Sequence, residues 1–224
     1  MTRLENQILQ EKRAFIFDLD GVICDTAKFH FMSWQKIANH FNFQISSSLN
    51  ESLKGVSRKN SLEKILNAAQ IKTSEKKFDE LLRKKNEIYL EKIDKMNPKD
   101  LLPGVKNLLL KAREKGIKIG LGSASKNAKL VLSKLDIEDF FETIIDGTMV
   151  KNSKPDPEVF LKGAQGLSVQ NEHCIVFEDS QAGILAARGA NMKVVAIGNE
   201  LKNYDIRYSS IEQANFENII SLTK

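Results

Sequence analysis

Beside the strand candidate Ile117–Gly122, which carries one lysine, three short apolar runs mark the chain: Ala14–Phe17, Cys174–Phe177 and Val194–Ile197. They are too short for buried helices and continuous rather than alternating, as in strands covered on both faces of a parallel sheet. Thr143-Ile144-Ile145 is a weaker strand candidate. Elsewhere apolar residues recur every three or four positions. Ala27, Phe31, Trp34, Ala38 and Phe41 predict a helix from Thr26 to about Phe41. A Ser/Asn-rich stretch, Ser46 to Asn50, separates it from further helices around Ser61–Ala69 and Glu75–Lys92. Pro103-Gly104 opens another helix and Gly116 closes it. No strand-like run lies between 28 and 96. Strands alternating with helices imply a parallel sheet with right-handed crossovers. The expected fold is α/β: a doubly wound, Rossmann-like core from residues 1–27 and 97–224, interrupted by an all-helical cap at 28–96. Hinges are expected near 25–28 and 96–101. The cap leaves directly after the first strand and so overhangs that strand's C-terminal edge.

At 224 residues and 42% hydrophobic, the chain can bury one core plus an inserted module. No apolar stretch approaches the roughly 20 residues of a membrane span, and no membrane partner is expected. The first dozen residues are polar and mixed in charge, unlike a secretory leader. The two cysteines, Cys24 and Cys174, form no CxxC pair, so a reducing cytoplasm is the expected location. The net charge of +5 is local: residues 28–95 hold 14 Lys and Arg against 8 Asp and Glu. These lysines alternate with acids and lack aromatic company, which argues against nucleic acid and for an anionic small molecule. Nothing in the pattern calls for a partner subunit, and a monomer is expected.

Candidate chemistry sits at the strand ends. The first strand delivers Asp18 and Asp20 into Gly21. Two carboxylates so close repel unless a cation or shared proton intervenes, and such hard oxygens suit Mg²⁺. Ser123–Asn127, Lys154-Pro155 and Glu178-Asp179 follow other strands. Singly, these read as helix caps or loops. In a parallel sheet they converge on the edge where such folds hold ligands. Together they suit phosphoryl transfer, which depends on positioning and electrostatics. Asp18 is the candidate nucleophile and Asp20 the general acid/base. Mg²⁺ would sit on Asp18 and Asp179, with the Asp20 carbonyl and Glu178 completing the acidic set. Ser123 and Lys154 would hold the phosphoryl oxygens. In the cap, Lys54 and Arg58 read equally well as a solvated loop or as a second anion grip, Arg being a bidentate fork for phosphate. His30 beside Trp34 is readable as a packed core histidine.

Asp18-Leu19-Asp20-Gly21 with Ser123, Lys154-Pro155 and Glu178-Asp179 resembles the haloacid dehalogenase-like phosphotransferases. Asp25-Thr26-Ala27, His30-Phe31, Trp34, Leu53–Arg58, Ser61-Leu62, Arg83–Asn86, the Ser123–Asn127 loop and Glu178–Ile184 resemble the sugar-phosphate mutases of that family. The likeness runs from about Phe15 to Gly198. It implies an isomerase interconverting β-D-glucose 1-phosphate and D-glucose 6-phosphate through an aspartyl-phosphate. Mg²⁺ would be the cofactor and β-glucose 1,6-bisphosphate the primer and intermediate. A sugar-phosphate phosphatase on the same scaffold is the alternative. A non-catalytic binding module would lack part of the acid set, which here is complete. The resemblance also implies that Thr26 belongs to the hinge and that His30 links sugar binding to Asp20. Arg58 would grip the distal phosphate, with Ser123, Ala124, Lys126 and Asn127 on the core side, while Trp34, Lys54, Gly55, Ser61 and Lys85 contact the sugar. Two departures are evident: the loop 147–153 before Lys154 differs, and about ten residues precede the matched region, expected to be an extension.

Overall fold

The structure, a computed structural model, describes residues 13–223. The expected N-terminal extension lies outside the described residues.

One six-stranded sheet forms the core: β1 (Ala14–Phe17), β2 (Lys118–Gly122), β3 (Thr143–Ile145), β4 (Cys174–Glu178), β5 (Lys193–Ile197) and β6 (Ile206–Tyr208). Its order is β3-β2-β1-β4-β5-β6, and every pairing is parallel. The doubly wound α/β expectation is thus met, with β1 at the centre. In β1, Phe15 and Phe17 face one layer while Ala14 and Ile16 face the other, so both sides are covered. Phe17 pairs in register with Phe177, their rings stacked 4.4 Å apart. Burying each such ring contributes about 1.5–3 kcal/mol, which fixes the height at which β1 and β4 release Asp18 and Asp179.

Among the described residues, four helices follow β1 before residue 97: α1 (Ala27–Ala38), α2 (Ser47–Leu53), α3 (Arg58–Ala68) and α4 (Glu75–Ile93). They enclose their own apolar cluster around Trp34, Ile37, Leu62, Ile65 and Leu81. Two boundaries differ from the periodicity reading. Ser46–Asn50 is not a plain linker, because Ser46 accepts a hydrogen bond from the Leu49 N–H and starts α2. α3 starts at Arg58 rather than Ser61, because Ser57 accepts from the Asn60 N–H. Such side-chain acceptors satisfy otherwise orphaned first-turn donors. Five helices complete the layers: α5 (Val105–Glu114), α6 (Ala128–Lys134), α7 (Glu158–Leu167), α8 (Gln181–Gly189) and α9 (Phe216–Ile220).

Candidate active site

The strand-end groups predicted from sequence converge at the C-terminal edge of the sheet. Asp18 leaves β1 with its N–H still bonded to the Phe177 carbonyl (3.0 Å). The turn that follows needs glycine: Gly21 has φ +82°, and any Cβ there would run into the Asp179 carboxylate. Lys154 Nζ donates to Asp18 Oδ1 (2.6 Å) and to Glu178 Oε1 (2.5 Å), with all three side chains buried. The other Glu178 oxygen accepts from the Ser180 N–H (3.0 Å) and hydroxyl (2.9 Å). Glu178 thus ties Lys154 to the start of α8.

Burial alone would lower the Lys154 pKa, but the Asp18 and Glu178 carboxylates reverse this and raise it, so the amine stays charged. Asp18 is pushed up to about 7, chiefly by burial; Lys154 opposes this, and Glu178 and Asp20 add to it. Burial, then repulsion from Glu178 and Asp18, holds Asp179 well above the usual carboxylate range. One carboxylate oxygen from each of Asp18, Glu178 and Asp179 lies within 4.8 Å of the others. Crowded, buried, hard oxygens fit a divalent cation. The Asp20 carboxylate stands apart from this trio and accepts a hydrogen bond from the Thr26 hydroxyl. Burial raises its pKa, and the Thr26 bond offsets part of the rise.

A pocket between sheet edge and cap is lined by Asp18, Asp20 and Asp179 and also by the cations Arg58, from the cap side, and Lys126, from the core side. Trp34, Lys54, Gly55, Ser61 and Ala124 also line it. Lys54 pairs with Glu51 (3.0 Å) and reaches across to Asp179 (3.9 Å). Gly55, at φ +70°, lies so close to the core that a Cβ would stand 2.8 Å from Ser180 Oγ. Lys85 Nζ bonds His30 Nδ1 (2.9 Å) and lies over the Trp34 and Tyr89 rings. Burial, with Arg58 adding repulsion and Asp20 opposing, lowers Lys85 to about 7. His30 falls well below its ordinary value through burial, then Lys85 and Arg58. With Nδ1 accepting from Lys85, the network assigns the ring proton to Nε2. That nitrogen makes no hydrogen bond and lies 3.7 Å from Asp20 Oδ1.

Five expected groups are not in the pocket lining: Thr26, Ser123, Asn127, Lys154 and Glu178. Ser123 is buried and its hydroxyl accepts from the Ser125 N–H (3.1 Å). Asn127 donates to Asn86 of the cap (3.0 Å). The sequence reading did not place Ala27, Asn50, Leu53, Val56 and Ser125 in the site, though they line the pocket, nor Tyr89, whose ring packs 4.3 Å from that of His30. Tyr89 follows Lys85 by one helical turn, a signal that could have found it.

With this geometry in place the comparisons are direct. A family model for haloacid dehalogenase-like hydrolases matches residues 15–197, and the chain belongs to that family. Among relatives, it is 44% identical over 188 residues to the β-phosphoglucomutase of Bacillus subtilis, covering 83% of each protein. It is 31% identical to a phosphorylated carbohydrates phosphatase of Thermotoga maritima, covering 80% of this chain and 82% of the relative. Among solved structures, the β-phosphoglucomutase of Clostridium difficile superposes with a TM-score of 0.91 at 45% identity, covering 95% of this chain and 97% of the other.

Proposed function

We propose that this chain is a phosphoryl-transfer isomerase interconverting β-D-glucose 1-phosphate and D-glucose 6-phosphate. The observation that carries the reading is one pocket that holds both acids and a pair of cations. Asp18, Asp20 and Asp179, which can accept and pass on a phosphoryl group, line it, and so do Arg58 and Lys126, an anion grip drawn from other segments of the chain. A phosphatase needs only the acids; a mutase must also hold the second phosphate of a bisphosphate. The 44% and 45% identities to β-phosphoglucomutases against 31% to a phosphatase point the same way.

In this reading the phosphorylated Asp18 gives its phosphoryl group to the C6 hydroxyl of β-glucose 1-phosphate, and Asp20 takes the hydroxyl proton. β-Glucose 1,6-bisphosphate forms, turns round, and returns its C1 phosphoryl group to Asp18 while Asp20 gives the proton back to the C1 oxygen. The attack is nucleophilic catalysis with paired acid–base assistance. Lys154 and Ser123 steady the phosphoryl oxygens, and Ala124, Lys126 and Asn127 frame the core side of the distal phosphate. Asp18, Asp179 and the Asp20 carbonyl would hold Mg²⁺, with Glu178 behind them. When bound, the ion neutralises charge developing on the phosphoryl oxygens. Trp34, Gly55, Ser61, Lys54 and Lys85 shape the sugar side. The free Nε2–H of His30 is placed to bond a sugar oxygen beside Asp20, and Thr26 ties Asp20 to the first turn of the cap. Residues 28–96 act as a lid hinged near 25–28 and 96–101, excluding the water that would otherwise hydrolyse the aspartyl-phosphate. Dehydrating the site is what separates a mutase from a phosphatase on this scaffold. The enzyme works on soluble sugar phosphates as a cytoplasmic monomer; among the described residues no helix is long and apolar enough to cross a membrane.

The test is one coupled assay: β-glucose 1-phosphate with Mg²⁺ and β-glucose 1,6-bisphosphate, following glucose 6-phosphate and inorganic phosphate together. Glucose 6-phosphate in large excess over phosphate is expected. Phosphate release matching substrate loss would transfer the protein to the phosphatases. A His30→Ala variant should lose turnover by about 10²-fold or more; full turnover would remove the coupling role.

A further inference from the structure

Lys154 is held at its tip by two carboxylates, but its backbone is presented by the loop 147–153 that runs directly into it. One side chain organises that loop. Glu158, in the first turn of α7, reaches back so that Oε2 accepts from the N–H groups of Lys151 (3.0 Å) and Asn152 (2.8 Å). Its Oε1 accepts from Lys162 Nζ (2.6 Å), one turn further on. Lys162 in turn donates to the Met149 carbonyl (2.5 Å). Three loop groups are thereby fastened to two consecutive turns of one helix. Phe160 of the same helix lies beneath Lys154, its ring centre 4.8 Å from Nζ. A first-turn acid ordinarily serves the helix dipole; Glu158 is distinguished by spending one oxygen wholly on loop amides. The Lys162 ammonium, then the Asn152 and Lys151 amides, draw its pKa down to about 2, so the clamp stays charged at any working pH.

We infer that Glu158, braced by Lys162, is a positioning residue for phosphoryl transfer: it sets the loop that aims Lys154 at Asp18 and the transferring group. The inference rests on the phosphoryl-transfer reading above and deepens it. A cation displaced by an ångström at such a centre costs as much as 10²-fold in rate. None of Met149, Lys151, Asn152, Glu158 and Lys162 lines the pocket, so substrate binding should be little affected.

The test is steady-state kinetics on the isomerase reaction with Mg²⁺ and bisphosphate primer, in a double-mutant cycle with Lys154→Arg. Glu158→Ala should lower kcat about 10- to 100-fold and leave KM within about twofold. Glu158→Gln, which keeps an acceptor oxygen for the amides, should recover part of the loss. In the Lys154→Arg background, where the aimed group is already altered, the same Glu158→Ala change should cost less than about threefold. Unchanged kcat, or an equal loss in both backgrounds, overturns the inference. Should Glu158→Ala fold poorly, Lys162→Met removes the brace while sparing the amide bonds; it should lower kcat less than Glu158→Ala, by about 3- to 10-fold, with KM unchanged and the loss again shrinking in the Lys154→Arg background. A wild-type protein that releases phosphate instead of isomerising would count against the mutase reading alone, because the cycle is equally legible in phosphate release.

Discussion

At the residue scale the site is a set of buried charges that tolerate one another only because each has a fixed partner. Lys85 shows this in a form that stability can read. Its folded pKa is depressed to about 7, against about 10.4 in an unfolded chain. Between those values the unfolded chain binds the proton that the folded chain releases, so stability rises with pH across that window, and the burial penalty is felt in full below it. Denaturant unfolding should therefore show a steeper rise of stability between about pH 7 and pH 10 in the wild type than in Lys85→Met. Parallel curves would mean that Lys85 titrates normally. Much of this scale was legible in sequence. Asp18, Asp20, Glu178 and Asp179 sit directly beyond apolar runs, Lys154 sits in the loop after β3, and a parallel sheet gathers strand ends at one edge. Tyr89 and Glu158 were not, because what defines them is contact: a ring on His30, or an oxygen on amides six and seven residues back. Glu158 also carries the ordinary signature of a helix start, which conceals its second role.

At the scale of elements, the junction between β4 and α8 is the tightest joint in the site. Gly183, in the first turn of α8, leaves no room for a side chain: a Cβ there would overlap the Glu178 carboxylate. Gly183→Ala should push Glu178 off Lys154, cost about 1–3 kcal/mol of stability and lower turnover at least tenfold. Gly189→Ala, in the same helix, meets only Pro157 at ordinary van der Waals distance, and should be neutral or stabilising by up to about 1 kcal/mol. Thermal unfolding and kinetics on the pair separate a helix-propensity effect from the clash. The strands β1, β2, β4 and β5 were readable because short, nearly continuous apolar runs admit few alternatives. β6 and α9 went unread: Ile206–Tyr208 is an edge strand only half buried, with a polar middle residue, and Phe216–Ile220 is little more than one turn. The helix starts at Ser46 and Ser57 were missed because capping, not periodicity, decides where those helices begin.

For the whole molecule, the proposed function makes the contact between residues 28–96 and the core decisive. Apart from the pocket, polar latches join them on several sides: Asn60 to Ser153 (3.2 Å), Asn86 to Asn127 (3.0 Å) and Asp94 to Lys134 (2.7 Å). If water exclusion by the cap separates isomerisation from hydrolysis, weakening the latches should shift the ratio of products more than the total rate. Asn60→Ala combined with Asn86→Ala should raise phosphate release relative to glucose 6-phosphate several-fold, read in the same coupled assay. An unchanged ratio would mean that closure does not rest on these contacts. That a helical insert overhangs the first strand was plain from the chain. Which of its side chains reach the core was not, since the partners lie some 40 to 90 residues apart. The central claim, however, concerns one bond. Incubation with Mg²⁺ and β-glucose 1,6-bisphosphate, followed by rapid quench and peptide mass analysis, should find a single phosphoryl group on the peptide carrying Asp18, labile to hydroxylamine and lost in Asp18→Asn. Full isomerase activity in Asp18→Asn, or a stable phosphoryl group on any other residue, would contradict the account.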